Sequence, residues 1–521
     1  MLQVEIKELP SSFEELQSII QPYEKQIDIL EEQIRHLRSQ LFGRKSERYI
    51  TSDQKQLDLF DEAEEAAEKA LRKESMIVVP AHARKKPGRK PLPAELPRIQ
   101  VIHDLAPLDK MCCGKEMARI GEEISEKLHI EPAKIFVKKH IRPKYACKEC
   151  EGIESKGGTV KIALMPPQII PQGIATPSLM AYIITNKFVD ALPFYRQEKI
   201  FERLKIEFGR GIMAHNVIHV AGRCNPLVEL MEKEIRSGPL IQIDETTVQV
   251  MKEPGRANTT KSYMWVFRGG SRDHPILIYQ YHPTRSGDVA KEFIKGYKGY
   301  VQTDGYVGYD FLDKMEGITH CGCLTHVRRN FADVIKAKGK GTYRSQLAEE
   351  ALDYIKEIYE IERLAKSLNY TPDQIYALRQ EKAKPIMEGF KKWLDDHVDQ
   401  IPPGSLLGKA FNYALNQWER VIKYLDDGIL YPDNNWVENA IRPFVLGRKN
   451  WLFSGHPRGA HASATLYSLV ETAKANGLES YQYLNFLFER LPYAQTEEDY
   501  RKLLPMYVKL DPIKKSEIST D

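Results

Sequence analysis

No apolar run in this 521-residue chain approaches the roughly 20 residues needed to cross a bilayer. The opening MLQVEIKELPSSFEELQ lacks the basic-then-apolar order of a secretory signal, so a cytoplasmic protein with no membrane partner is expected. Cysteine is scarce as well. There are seven, an odd number, and six fall in local pairs: Cys112 with Cys113, Cys147 with Cys150, Cys321 with Cys323. That suits metal sites in a reducing compartment better than a disulfide framework. Nor is there much net charge, since 76 Lys and Arg against 72 Asp and Glu leave +4. The charge is uneven, however. An acidic DLFDEAEEAAEKA precedes the basic ARKKPGRKPLP, and VKKHIRPKYACK follows, so local basic patches point to a polyanionic partner.

The length calls for about three or four domains, and the 42% hydrophobic and 28% charged content is that of a globular chain. In residues 1–49, Tyr23, Ile27, Leu30, Ile34, Leu37 and Leu41 recur in steps of three and four, a heptad seam that predicts a coiled coil holding two or more chains together. An amphipathic helix packed on its own domain is the other reading. Residues 50–99 lack apolar periodicity and read as a linker; its KKPGRKPLP, with Arg89 and Lys90, resembles Pro-flanked basic segments that lie in DNA minor grooves. Residues 100–155 read as a zinc-finger-like domain, with Cys147 and Cys150 as one knuckle and Cys112 and Cys113 as an irregular second half of a structural Zn²⁺ site. Residues 170–236 read as a helix-turn-helix-like helical domain, with Met213 to Cys224 as the candidate recognition helix.

From Gly238 the texture changes. LIQIDETTVQV, SYMWVFRGG and PILIYQYHP predict an antiparallel meander; a helix, a fourth strand (GYVQTDGYVGY), a helix (YDFLDKM) and a fifth strand (ITHCGCLTHV) follow. This is the order of a ribonuclease-H-like core in a multidomain α+β protein, expected over 238–480. In that fold carboxylates sit on the first strand, at the end of the fourth and on a later helix. Asp244 and Asp304 take the first two places. Glu438, in YPDNNWVENAIRPF, supplies the third on a short helix expected to open at Asp433 and stop at Pro443. Converging buried carboxylates repel one another, and two Mg²⁺ or Mn²⁺ ions are the usual remedy. Glu245 is expected to face the other side of its strand.

DETTVQV, VQTDGYVGY, CLTHVRRNFADV and PDNNWVENAIRPFVLGRKNWLFSGHPRGAHASATLYSLVETAKANGL resemble the insertion-sequence-66 family of bacterial transposases, as do LRSQLFGRKSER, GRKPLP and LPFYRQE upstream. The resemblance covers most of the chain. It implies a DDE transposase with the triad Asp244, Asp304 and Glu438, acting on double-stranded DNA at element termini and on target DNA; members often occur with two small accessory proteins. The 134 positions between Asp304 and Glu438 then hold a helical insertion, 335–428, and 481–521 form a helical tail. Arg442, Arg448, Lys449 and Arg458 are candidates for holding DNA phosphates. Cys323 and His326, with Cys321 and His320 nearby, read as a satisfied fifth-strand cluster or as a second metal site. Two rivals stand beside a transposase. A structure-specific nuclease on the same fold has no need of the N-terminal modules, and a transposase-derived DNA-binding regulator has no need of three carboxylates.

Overall fold

The computed structural model describes residues 160–510 apart from 272 and 339–345, residues 135–146, the short segments 111–112 and 115–116, and Ile34. Contacts divide the chain into two compact units, Met1–Lys45 with Pro166–Leu510 and Ser46–Met165 with Asp511–Asp521. The linker and, apart from an exposed, helical Ile34, the heptad seam lie outside the described residues. In the smaller unit two short antiparallel ladders are described, Met111–Cys112 with Lys115–Glu116 and Lys144–Ala146 with Val160–Ile162.

The larger unit opens with three helices. α1 (Pro177–Phe188) starts where the Thr176 hydroxyl accepts the Leu179 N–H and a proline takes the first turn, where its missing donor costs nothing. α2 (Phe194–Arg203) and α3 (Arg210–Ser237) follow. These do not form the separate helix-turn-helix domain expected from sequence. Met213, Val217, Val220, Ala221 and Cys224, the inner stripe of the expected recognition helix, are buried in the same core as the sheet. Apolar residues recur along the whole 28 residues of α3, so that stripe has to be covered.

β1 (Leu240–Gln249), β2 (Lys261–Gly270) and β3 (Pro275–His282) form an antiparallel meander. α4 (Gly287–Phe293), capped by Ser286, leads to β4 (Gly299–Gln302), parallel to β1. YDFLDKM forms part of a 3-10 helix, Val307–Lys314, rather than an α-helix, and β5 (Ile318–Cys321) then pairs parallel to β4. The order across the sheet is β3-β2-β1-β4-β5, with β1 central and Ile241 and Ile243 fully buried. Between β5 and residue 434 the described residues include six α-helices: α5 (Leu324–Lys338), α6 (Gln346–Ser367), α7 (Pro372–Leu378), α8 (Lys384–Val398), α9 (Leu406–Asn416) and α10 (Trp418–Val421). These helices build their own core around Phe331, Ile355, Phe390, Phe411 and Trp418.

α11 (Asn435–Trp451), α12 (Pro457–Ala475) and α13 (Ser480–Arg490) return to the sheet. α11 is not the two-turn helix that Pro443 was expected to end; it runs 17 residues through the proline. Pro443 removes one donor, but the Tyr279 hydroxyl donates to the Ala440 carbonyl in the same turn, and Val437, Ile441 and Phe444 bury against the sheet. Packing outweighs the local preference. On α12, Ser468 and Thr472 stand one turn apart and accept the N–H groups of Tyr279 (2.8 Å) and Leu277 (3.0 Å). The outer backbone of edge strand β3 is thereby satisfied and closed to other strands. The segment expected as a C-terminal tail is no tail as far as residue 510: Leu484, Leu487 and Leu504 belong to the sheet's core.

Candidate active site

The parallel pairing of β1 with β4 sets Gln242 opposite Gln302. Two residues further along each chain stand Asp244 and Asp304, so register alone carries both carboxylates to one end of the β1–β4 seam. Asp304 leaves the sheet there, and its Oδ1 accepts the Tyr306 N–H at 3.0 Å. Asp244 is held in the strand. Burial raises its carboxyl well above the usual range, and the charges of Glu245, Glu438 and Asp304 push it the same way. Glu438 therefore belongs to the same electrostatic neighbourhood, 134 positions downstream of Asp304 in the chain.

A buried network holds the stretch before Glu438 to the sheet. Gln302 Nε2 donates to the carbonyls of Tyr431 (2.7 Å) and Gly322 (3.1 Å). Gln242 Nε2 donates to Gln302 Oε1 at 2.7 Å, Arg268 donates to Gln242 Oε1 at 3.0 Å, and Asn434 Nδ2 donates to the Ile243 carbonyl at 3.1 Å. Asn434, not Asp433, occupies the N-cap position of α11, yet the Asp433 carboxylate accepts the Asn435 N–H (3.0 Å) and the Tyr359 hydroxyl (2.9 Å). The expected cap is displaced by one residue while its hydrogen bond remains. Neither Gln242 nor Gln302 is a site residue on sequence grounds, although the repeated Gln-X-Asp of QID and QTD marks both.

Around Glu438 the polar partners are distant. Arg329 Nη2 lies 3.5 Å from Oε2 and His326 Nδ1 lies 3.8 Å from Oε1. Among the described residues, Glu438 Oε1 and His326 Nδ1 are buried without a hydrogen-bond partner. Cys323 completes this group, whose ligand atoms lie within 4.8 Å of one another, and its Sγ accepts the Asn434 N–H at 3.2 Å. The four residues read as one fifth-strand cluster are thus divided. His320 pairs with Asp313 (2.7 Å) and Thr303 (2.8 Å), Cys321 enters the core of the helical excursion, and Cys323 and His326 face Glu438. A thiol, an imidazole and a carboxylate are donor types that hold metal ions, and here the carboxylate also carries the Arg329 ion pair.

A family model described as "Transposase IS66 family" matches residues 172–462, which span the sheet, the helical excursion and all three carboxylates. The chain belongs to the IS66 transposase family. Further models match its other parts: "Transposase C of IS166 homeodomain" over 29–101, "zinc-finger binding domain of transposase IS66" over 111–151, and "IS66 C-terminal element" over 468–506. Relatives from Sinorhizobium fredii include the uncharacterized protein y4jD, 34% identical over 81% of this chain and 82% of its own length. Another is the uncharacterized protein y4qI, 32% identical over 82% of this chain and 80% of its own.

In this IS66 family chain the basic residues near Glu438 have different surroundings. Arg442 is half-buried one turn after Glu438, and Lys449 and Arg458 are exposed. Arg448 turns back to β1, where its guanidinium donates to the Thr247 carbonyl and to the hydroxyls of Thr246 (3.2 Å) and Thr247 (3.1 Å). Arg89, Lys90, Cys113, Cys147 and Cys150 lie outside the described residues, and of Cys112 only the backbone strand is described. No helix among the described residues is long and apolar enough to cross a membrane.

Proposed function

We propose that the chain cleaves DNA at the ends of a mobile element and joins the freed 3′-hydroxyls to target DNA, on a ribonuclease-H-like core with Asp244, Asp304 and Glu438 as its acidic residues. The order β3-β2-β1-β4-β5, three strands antiparallel and two added parallel, supports that reading of the fold. What carries the chemistry is the electrostatic coupling of Asp244 to Asp304 and Glu438, half-buried carboxylates drawn from a strand, the turn after a second strand and a helix. Left unneutralised, such a set is costly. The orphaned Glu438 Oε1 and the all-oxygen carboxylate set fit Mg²⁺ or Mn²⁺, and Asp244, Asp304 and Glu438 are the residues that would hold two such ions. When bound, the cations activate the attacking oxygen and stabilise the leaving one in an in-line phosphoryl transfer.

The chain's own residues position and bind. Gln242, Gln302 and Asn434 fix the start of α11 and so aim Glu438, while Arg442, Lys449 and Arg458 hold phosphates. The basic segment with Arg89 and Lys90 adds DNA contacts, and Cys112, Cys113, Cys147 and Cys150 would hold a structural zinc. Two element ends in one complex require more than one copy of the chain, with the heptads from Tyr23 to Leu41 as the contact. The test is Glu438→Gln, which keeps shape and removes charge. Binding to a terminal-repeat duplex should persist in a gel-shift assay, and Mg²⁺-dependent cleavage should fall by orders of magnitude. Near-normal cleavage would remove Glu438 from the triad.

A further inference from the structure

Leu452, the C-cap of α11, has φ 68° and ψ −52°, a conformation that a leucine rarely adopts. The Phe453 N–H donates to the Trp451 carbonyl at 2.9 Å, closing a γ-turn of the uncommon positive-φ kind. The chain beyond is fixed. Ser454 is buried, its N–H donates to the Gln249 carbonyl at 2.9 Å, and its carbonyl accepts the Met251 N–H at 2.8 Å. The turn is thus anchored on α11 at one side and on the end of β1 at the other. Between these anchors two apolar side chains stand in solvent, Leu452 at 65% exposure and Phe453 at 46%. Backbone strain that also exposes apolar surface is retained where the surroundings over-determine it, and such places cluster at ligand contacts.

The charge around the tip indicates its occupant. Leu446 to His461 contains Arg448, Lys449 and Arg458 and no acidic residue. The β1–β2 connection, joined to Ser454, adds exposed Lys252, and the first residue of β2 adds exposed Lys261; the connection's one acidic residue, Glu253, is buried and paired with Arg256 at 3.0 Å. An apolar point in a cationic field matches a polyanion with an apolar interior. Duplex DNA has that structure, with phosphates for the cations and base steps that admit an apolar side chain.

We propose that Leu452 and Phe453 form a wedge that enters a base step of the bound DNA and unstacks it. This rests on the DNA-cleaving reading and adds to it a place where the duplex is opened. The 14 positions from Glu438 to Leu452 along α11 span about 20 Å, roughly six base pairs from the carboxylates.

The experiment uses terminal-repeat duplexes carrying 2-aminopurine at single positions along the last turn, with the full-length chain bearing Glu438→Gln so that the DNA stays intact. One or two adjacent positions should brighten severalfold on binding. Adding Leu452→Gly and Phe453→Ala should abolish the brightening while the duplex still binds. Glycine suits the positive φ, so an unchanged or higher melting temperature separates loss of the wedge from loss of fold. Bound DNA with no brightened position, or brightening that survives in the double variant, overturns the wedge and leaves the DNA reading standing. A chain that binds no duplex overturns both.

Discussion

The side-chain amide of Gln242 donates to that of Gln302 across 2.7 Å, with both residues fully buried between β1 and β4. Each glutamine precedes a candidate catalytic aspartate by two residues, and through Gln302 the pair also grips the Gly322 and Tyr431 carbonyls. One network therefore sets the relation of both strands to the segment that launches Glu438.

Gln302→Leu keeps the bulk and strands three partners in the interior. A loss of about 2–4 kcal/mol in denaturant unfolding is expected, because each unsatisfied buried group costs more than an average hydrogen bond returns. A loss below about 0.5 kcal/mol would show that the seam tolerates an apolar side chain and that α11 is positioned by packing alone.

Glu245 adjoins Asp244 and is coupled electrostatically to it and to Asp304, but unlike either it has its own cationic and hydroxyl partners. Its side chain is 1% exposed, paired with the Arg285 guanidinium, and it accepts the Tyr309 hydroxyl. Burial raises its carboxyl while these two partners lower it. Glu245→Gln is expected to destabilise by about 1–2 kcal/mol, since Arg285 loses its counter-charge but stays partly solvated, yet to retain DNA cleavage per folded molecule. Thermal unfolding beside a cleavage assay normalised to folded protein checks this. Full stability with abolished cleavage would place Glu245, rather than a neighbour, in the chemistry.

Lys187 sets a pH dependence. Its ammonium lies over the rings of Phe194 (4.6 Å), Trp451 (5.3 Å) and Phe188 (5.6 Å), and burial lowers its pKa from 10.5 to about 8. Between those values the unfolded chain keeps a proton that the folded chain has released, so this group makes stability rise with pH across that window; below it the penalty is fully present. Lys187→Met removes the charge. Relative to this variant, wild type should gain on the order of 2–3 kcal/mol between pH 8 and 10.5. Parallel stability curves for the two proteins across that range would show the ammonium to be well solvated.

Purified protein is expected to carry about one zinc per chain, because four thiols in the segment matched by the zinc-finger model are strong Zn²⁺ ligands. Metal analysis of Cys147→Ser against wild type decides it, and equal zinc in both would remove Cys147 from the site.

The sequence by itself determined what is local. Period-two runs set the strands of the meander, and the Asp of QID and the Asp of QTD fall where parallel register carries both to the same end of the sheet. The family likeness was legible in motifs from DETTVQV to ENAIRPF. What tertiary structure decided is what depends on partners far away in the chain. α11 passes through Pro443 because the sheet covers Val437, Ile441 and Phe444. α3 gives its apolar stripe to that same core. Cys323 and His326 part from Cys321 and His320 because the strand ends between them and a helix carries His326 towards Glu438. Local propensities amount to tenths of a kcal/mol per residue, whereas burying one large side chain contributes about 1.5–3 kcal/mol, so wherever the two disagree the distant partner decides.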